Sequence, residues 1–216
     1  MSRVFDYKGV IFDVDGVLLD SMSIWEDLGL RYIKSFGLTP EEGLSKKLFS
    51  MSMEQGAEYL ASNYPLNKTV EDILKDLHIT LQDFYFYEVQ AKAGAEEFIK
   101  TMASRGIKMT AATSSPRSHV TKALERVGLL SYIDSIFTTT EVGESKHSPL
   151  VYHKACESMG LEVNETIVCE DSLYALKTAK SAGYFTIGVF DAAGEKDQDG
   201  LKENSDIYVM NLAEAL

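Results

Sequence analysis

The stretch VIFDVDGVLLDS, residues 10–21, places two aspartates, Asp13 and Asp15, directly after a short apolar run. The run contains β-branched and aromatic residues and is followed by Gly16, which predicts a buried strand that ends in a turn. Residues i and i+2 of a strand point the same way, about 6–7 Å apart. Two carboxylates at that separation can flank a reacting group, one attacking as a nucleophile while the other moves a proton.

Strand-like and helix-like stretches alternate in the second half of the chain. Besides residues 8–15, the runs that predict strands are IKMTAAT (107–113), SIFTT (135–139), ETIVCE (165–170) and YFTIGVF (184–190). The segments between them predict helices, two of which are expected to open at Ser115–Pro116 and at Ser148–Pro149. This repetition predicts an α/β fold with a Rossmann-like, three-layer core, in which a parallel sheet lies between two layers of helices.

The segment from residue 21 to residue 90 contains helix-like stretches and no strand pattern. Ser21 or Ser23 would cap its first helix, and Gly37 would end it. Three more helical stretches follow before residue 90. Because this block separates the first strand from the other strands, we predict an inserted all-helical cap domain at 21–90. The core domain would then be built from residues 1–20 and 91–216.

Polar residues follow three of the predicted strands, at the edge where ligands bind in open parallel sheets. They are Asp13 and Asp15, Thr113 and Ser114, and Glu170 and Asp171. Four acids gathered at one edge would repel each other unless a cation lies among them. Oxygen ligands without cysteine or histidine favour a hard cation over zinc, and Mg²⁺ prefers a shell that a phosphate helps to complete. The sequence therefore predicts a magnesium site and a phosphate site at this edge.

Three further residues have two interpretations each. Thr113 and Ser114 either cap the following helix or help bind an anion, and the two roles are compatible. Lys146 is either a solvated surface lysine or, because it precedes a predicted helix start, a cation at the same edge that neutralises a phosphate. The sequence alone leaves both alternatives open.

The composition disfavours two classes of partner. The 216 residues carry 33 acidic and 21 basic side chains, a formal net charge of −12, which disfavours nucleic acid and anionic membrane surfaces. Two cysteines, Cys156 and Cys169, are typical of a reducing cytoplasm. No apolar run approaches the length needed to cross a membrane. We expect a cytoplasmic protein that binds a small phosphorylated metabolite, and a monomer is the default expectation.

Four motifs, in order along the chain, resemble the haloacid dehalogenase-like superfamily, in the β-phosphoglucomutase-like branch with a helical cap. FDVDGVLLDS (12–21) is similar to the first motif, DxDGxxxDS, and AATSS (111–115) to the strand that ends in a phosphate-binding threonine or serine. KHSPLVYHKA (146–155) resembles the lysine motif, and VCEDSLYALKTAKSAG (168–183) resembles the metal motif. The resemblance covers essentially the whole chain.

The resemblance implies roles for individual residues. Asp13 would form an aspartyl-phosphate intermediate, and Asp15 would protonate the leaving group and then activate the water that clears the intermediate. Thr113 and Lys146 would hold the phosphoryl group that is transferred. Leu150 replaces an acid that usually helps to orient the lysine, so the placement of Lys146 depends on other residues.

The resemblance also implies a set of metal ligands. Mg²⁺ would be bound by Asp13, by the backbone carbonyl of Asp15 and by Asp171, with Glu170 either in direct contact with the ion or just outside its shell. The implied activity is a Mg²⁺-dependent phosphatase that hydrolyses small phosphomonoesters, sugar phosphates among them.

A hexose phosphate mutase of the β-phosphoglucomutase type is the nearest alternative. Such mutases resemble this chain but have a histidine where Trp25 stands, and a cap arginine for the second phosphate. The corresponding loop here, FSMSMEQG (49–56), offers Met53 and no basic residue. A haloacid dehalogenase would need neither a metal nor Asp15. A non-catalytic sensor of phosphorylated ligands would not need the full set of acids.

Overall fold

The computed structural model describes residues 3–49 and 51–216, without the side chain of Phe49. Ser50, in the loop FSMSMEQG, lies outside the described residues. The chain divides into two compact units. The core unit comprises the residues up to Ser21 and those from Val89 to Leu216, and the helical unit comprises Met22–Glu88. None of the described helices combines the length and the apolarity that crossing a membrane requires.

The core unit is built on a parallel sheet of six strands. They are β1 (Gly9–Phe12), β2 (Lys108–Thr113), β3 (Ser135–Thr138), β4 (Thr166–Glu170), β5 (Phe185–Val189) and β6 (Ile207–Val209). Their order across the sheet is β3-β2-β1-β4-β5-β6, and every neighbouring pair is parallel. The first five strands were predicted from the sequence. The sixth was missed because three residues are too few for a recognisable alternation.

Helices cover both faces of this sheet, which confirms the predicted three-layer core. In the helical unit the helices are α1 (Ser23–Ser35), α2 (Leu44–Phe49), α3 (Met53–Asn63) and α4 (Val70–Asp83). In the core unit they are α5 (Ala95–Ser104), α6 (Arg117–Arg126), α7 (Thr139–Val142), α8 (Leu150–Met159), α9 (Leu173–Ser181) and α10 (Gln198–Asn204). Ile11 of β1 belongs to a cluster with Val151 and Tyr152 of α8. The next residue, Phe12, contacts the ring of Phe98 on α5 edge-on, at 5.9 Å between centroids. Because successive strand residues point to opposite faces, α8 and α5 lie on opposite sides of the sheet.

The helical unit contains four helices and no strand among its described residues. Two of its helices begin with reciprocal capping boxes, at Ser52 for α3 and at Thr69 for α4. The first helix begins at Ser23 without a side-chain cap, so the predicted capping role of Ser21 or Ser23 is wrong. After α4 a π-helical turn, Phe84–Glu88, completes the unit.

Two helices of the core unit begin one residue later than their serine–proline openings suggest. Helix α6 starts at Arg117 and α8 starts at Leu150, each directly after a proline. The N-cap residues of the two helices are the prolines Pro116 and Pro149, which offer no side-chain cap, and the Oγ of Ser148 accepts the N–H of Leu150 at 3.3 Å. The hydroxyl of Ser115 donates to an acid of the site described below.

Candidate active site

The three adjacent strands β2, β1 and β4 bring the predicted polar residues to one edge of the sheet. Asp13 directly follows β1, and its backbone N–H donates to the Cys169 carbonyl of β4 at 2.9 Å. Thr113 is the last residue of β2, and Glu170 is the last residue of β4. The sheet order thus decides which strand ends are neighbours, and this order places the first and fourth motifs side by side.

Lys146 lies inside this group of acids. Its Nζ is 2.7 Å from Asp13 Oδ1 and 2.8 Å from Glu170 Oε1. Its side chain is only 3% exposed, which excludes the interpretation as a solvated surface lysine. The two carboxylates orient the ammonium group. They therefore take the place of the acid that is usual at the position of Leu150.

Three buried carboxylates surround the space next to the lysine. Asp13, Glu170 and Asp171 each offer one oxygen, and these oxygens lie within 4.8 Å of one another. Three carboxylates and one ammonium group sum to a charge of −2 when all are ionised. Glu170 Oε2 is buried and has no hydrogen-bond partner among the described residues. A divalent cation would balance this charge and satisfy this oxygen, so the residues fit a hard metal ion.

The carboxylate of Asp15 accepts hydrogen bonds from hydroxyl groups of the core unit. Ser21 Oγ donates to Asp15 Oδ1 at 2.6 Å, and Ser115 Oγ donates to Asp15 Oδ2 at 2.7 Å. Thr113 Oγ1 lies 3.5 Å from the same Oδ2. Gly16, at φ 75°, then turns the chain after Asp15 in a conformation that favours glycine. Ser115 was not selected from the sequence, whereas the selected Ser114 is exposed.

Tyr152 is a second residue that sequence reasoning missed. Its hydroxyl donates to Glu170 Oε1 at 2.7 Å, deep inside the core unit. Oε1 of Glu170 therefore receives two donors, Lys146 and Tyr152, whereas Oε2 receives none from the part of the chain that the structure describes. The only signal in the sequence is the general need of a buried tyrosine hydroxyl for a partner.

Two acids of the site, Asp13 and Asp171, have raised pKa values. Burial raises the pKa of Asp13 well above its usual value, Lys146 opposes this, and the neighbouring acids add to it. Burial and the Glu170 carboxylate raise the pKa of Asp171 to about 7, against the influence of Lys146. Burial alone would lower the pKa of Lys146, but Asp13 and Glu170 raise it above its usual value. The cluster therefore carries more negative charge than its one lysine can stabilise.

A second buried ion pair supports the loop that contains the first motif. Lys92 Nζ donates to Asp191 Oδ2 at 2.6 Å and also to the backbone carbonyl of Gly16. Asp191 Oδ1 accepts the N–H groups of Ala193 and Gly194 at 2.9 Å. Lys92 thus connects the turn after Asp15 to the loop that follows β5. Neither residue was predicted, because the pair joins positions 99 residues apart.

Replacing Lys92 by methionine is expected to lower the free energy of unfolding by about 3 kcal/mol, because it leaves a buried carboxylate without its cation. Thermal and urea unfolding measure the change. Lys180→Met is the matched control, since Lys180 pairs with Asp206 on the surface with 41% of its side chain exposed. Loss of such a surface pair costs less than about 1 kcal/mol. Equal losses in the two variants would contradict the structural role of Lys92.

The chain matches one known protein family over most of its length. The family model of the haloacid dehalogenase-like hydrolases matches residues 10–189. The chain belongs to this family. The matched region includes the strand ends that carry the acids, Lys146 and Thr113. The resemblance inferred from the four motifs is therefore confirmed.

Several relatives of this hydrolase are named as phosphatases. The chain is 27% identical to the phosphorylated carbohydrates phosphatase of Thermotoga maritima, over 82% of each chain. It is 25% identical to the validoxylamine A 7'-phosphate phosphatase of Streptomyces hygroscopicus subsp. limoneus, over 96% of this chain and 95% of the relative. Among solved structures, a "putative beta-phosphoglucomutase from Thermotoga maritima" is similar at a TM-score of 0.84 and 25% identity, over 97% of this chain and 96% of that chain.

Proposed function

We propose that this hydrolase is a Mg²⁺-dependent phosphatase that releases phosphate from small phosphomonoesters, sugar phosphates among them, through an aspartyl-phosphate on Asp13. The observation that carries the proposal is the buried cluster in which Lys146 contacts Asp13 and Glu170 beside Asp171. A phosphatase named for phosphorylated carbohydrates among the relatives supports this substrate class.

Four groups of the chain would hold the metal ion. They are the carboxylates of Asp13 and Asp171, the backbone carbonyl of Asp15, and Glu170 through its unsatisfied Oε2, either directly or through a water. When bound, Mg²⁺ would neutralise negative charge on the phosphate oxygens and on the attacking carboxylate. Burial of the three acids keeps this charge compensation in a region of low dielectric, where it is strongest.

In the first half of the reaction Asp13 attacks the phosphorus atom. Asp13 Oδ1 is occupied by Lys146 and by the Val14 N–H at 2.7 Å, which leaves Oδ2 to form the new bond to phosphorus. The bond from phosphorus to the alcohol oxygen breaks, and a protonated Asp15 donates its proton to that oxygen. Ser21 and Ser115 hold the Asp15 carboxyl group in one orientation for this transfer.

In the second half a water molecule attacks the phosphorus of the aspartyl-phosphate. Asp15, now ionised, accepts a proton from the water, and the bond between phosphorus and Asp13 breaks to release inorganic phosphate. Thr113 and Lys146 would hold the phosphoryl oxygens in both halves, and Ser114 at the same strand end is the third proposed phosphate ligand. Charge stabilisation by such pre-positioned groups is the main contribution to phosphoryl transfer.

A panel of phosphorylated metabolites, assayed for phosphate release with Mg²⁺ and with EDTA, tests this function. We expect Mg²⁺-dependent release from several monosaccharide phosphates. Release that is equal in EDTA, or absent from every phosphomonoester tested, would contradict the proposal.

Stabilisation by Mg²⁺ is expected to increase with pH. Burial raises the pKa of Asp171 from its usual value of 3.8, which we assign to the unfolded chain, to about 7 in the folded, metal-free protein. The folded state therefore holds a proton that the unfolded chain has lost, and the metal-free protein loses stability as the pH rises from about 4 to about 7. Mg²⁺ displaces that proton and reverses the penalty. The shift in melting temperature on adding Mg²⁺ should be larger at about pH 8 than at about pH 5.5. An equal shift at both pH values would contradict a metal site at Asp171.

A hexose phosphate mutase is the second candidate, because a similar structure is described as a "putative beta-phosphoglucomutase". A mutase must hold a second phosphate, and a mutase assay on one hexose phosphate separates the two activities. Formation of the isomer in excess of free phosphate would favour the mutase, whereas phosphate release without an isomer would favour the phosphatase.

A further inference from the structure

The hydroxyl group of Tyr152 is a buried donor to which the reaction proposed above assigns no task. Tyr152 lies on helix α8, is fully buried, and belongs to the same core cluster as Ile11 of β1 and Val168 of β4. Glu170 follows Val168 by two positions on β4, so both side chains leave the sheet on the same face. This arrangement brings the Tyr152 hydroxyl to 2.7 Å from Glu170 Oε1.

The two oxygens of the Glu170 carboxylate have different surroundings. Oε1 accepts the Tyr152 hydroxyl at 2.7 Å and Lys146 Nζ at 2.8 Å, whereas Oε2 is buried and accepts no hydrogen bond from the described residues. Lys146 is shared, because its Nζ also lies 2.7 Å from Asp13 Oδ1. One ammonium group thus serves two carboxylates, and Tyr152 supplies Glu170 with a second donor.

The second donor fixes the orientation of the whole Glu170 carboxylate. The terminal torsion of a glutamate is soft, with a broad range of favourable angles. Two donors that converge on Oε1, one from α8 and one from the loop before it, confine that oxygen and thereby the direction of Oε2. A buried carboxylate oxygen without a donor is unfavourable, and a cation next to it would remove this penalty. Asp13 and Asp171 offer oxygens within 4.8 Å of a Glu170 oxygen, so such a cation would have three carboxylates around it.

We propose that Tyr152 is a positioning residue, which holds Glu170 so that Oε2 faces the metal ion, directly or through a water. The inference rests on the proposed function, because it takes the divalent cation at Asp13 and Asp171 from there. Residues that orient a metal ligand without touching the metal change its affinity by about tenfold to a hundredfold when they are replaced. Tyr152 would contact neither the phosphate nor the reacting atoms, so its effect should reach the reaction only through metal binding.

Replacing Tyr152 by phenylalanine removes the hydroxyl group and keeps the ring. The rise in melting temperature of the full-length protein with Mg²⁺ concentration, measured without substrate, gives the dissociation constant of Mg²⁺. Tyr152→Phe should raise this constant by about tenfold to a hundredfold. A constant equal to that of the parent protein would overturn the proposal.

Tyr184→Phe is the matched control. Tyr184 is 2% exposed and belongs to the same cluster, and its ring centroid lies 6.2 Å from that of Tyr152. Its hydroxyl pairs with His153 Nδ1 at 2.9 Å rather than with Glu170. The control therefore removes a hydroxyl group from the same part of the core and should leave the dissociation constant of Mg²⁺ unchanged. An equal rise in both variants would assign Tyr152 a merely structural role.

Phosphate release at increasing Mg²⁺ concentration separates positioning from a direct part in the chemistry. In Tyr152→Phe the Mg²⁺ concentration that gives half the maximal rate should rise by about tenfold to a hundredfold. At saturating Mg²⁺ kcat should equal that of the parent protein. A lower kcat with an unchanged dependence on Mg²⁺ would overturn the positioning role.

Glu170→Gln tests whether Tyr152 acts through Glu170. Because Lys146 and Tyr152 both donate, they select the amide oxygen of the glutamine, and the NH₂ group then takes the place of Oε2, where it cannot bind a cation. Mg²⁺ binding should weaken, and adding Tyr152→Phe should weaken it no further, whereas additive losses would overturn the proposal. Parent-like Mg²⁺ binding in Glu170→Gln would overturn it as well, even if Tyr152→Phe does not fold as judged by circular dichroism.

The two proposals fail in different ways. Weakened Mg²⁺ binding in Tyr152→Phe, with no hydrolysis of any phosphomonoester by the parent protein, would overturn the phosphatase and support the positioning role. Mg²⁺-dependent hydrolysis with parent-like Mg²⁺ binding in Tyr152→Phe would do the reverse. If Mg²⁺ does not raise the melting temperature of the parent protein, the positioning role is overturned, and phosphate release with Mg²⁺ and with EDTA decides the phosphatase separately.

Discussion

Replacing Asp13 by asparagine is expected to reduce kcat/KM for phosphate release from an aryl phosphate by at least about a thousandfold, because the amide is a poor nucleophile and the rest of the site cannot replace it. The fold should survive the change. Burial raises the pKa of the Asp13 carboxyl group, so an uncharged isostere removes a charge that the metal-free protein stabilises poorly. Steady-state assays and melting curves, with and without Mg²⁺, measure both effects.

Asp134→Asn is the matched control for this prediction. It removes an exposed carboxylate of the core unit without touching the cluster, and its activity should equal that of the parent protein. Hydrolysis by Asp13→Asn at the rate of the parent protein would exclude the aspartyl-phosphate mechanism. A loss of activity together with a collapse of the melting transition would instead assign Asp13 a structural role.

Replacing Lys146 by methionine should affect stability and activity together. The change leaves buried carboxylates without their cation, and such a loss costs about 3–5 kcal/mol of unfolding free energy. The rate of phosphate release should fall by about a hundredfold to a thousandfold if Lys146 stabilises the phosphoryl oxygens as proposed.

The destabilisation by Lys146→Met should depend on pH. Lys146 lowers the pKa of Asp13 and of Asp171, so its removal raises both values further above those of the unfolded chain. The folded variant then takes up protons on acidification, and its deficit in stability should be smaller at about pH 5 than at about pH 8. Lys122→Met is the control, because Lys122 forms an exposed pair with Glu125 within one helix. A deficit that does not change with pH would contradict the neutralising role of Lys146.

The features that the sequence predicted depend on local order. Alternating strand and helix patterns predicted the parallel core, and the unbroken helical pattern predicted the insert. Acids that follow apolar runs predicted which strand ends carry chemistry, since side-chain spacing along a strand is set by backbone geometry. The sixth strand, Ile207–Val209, was not predicted, because three residues are too few to show an alternating pattern.

The arrangement of Asp15 shows where local order is insufficient. The sequence selected Thr113 and Ser114 at the end of β2, but Ser115 is the residue whose hydroxyl reaches Asp15. The choice between adjacent serines depends on where helix α6 starts and on the direction of each side chain at the turn. Both are set by packing that the spacing of residues does not contain.

The sequence by itself determined the fold class, the first five strands and the set of acids at the edge of the sheet, because periodicity and the ends of apolar runs are properties of neighbouring residues. The tertiary structure alone decided that Lys146 is buried between Asp13 and Glu170, that Tyr152 donates to Glu170, and that Lys92 pairs with Asp191. It also decided which side chains of the helical unit line an apolar pocket. These contacts join residues far apart in the chain, and their geometry exists only once the strands are ordered and the helices are packed on them.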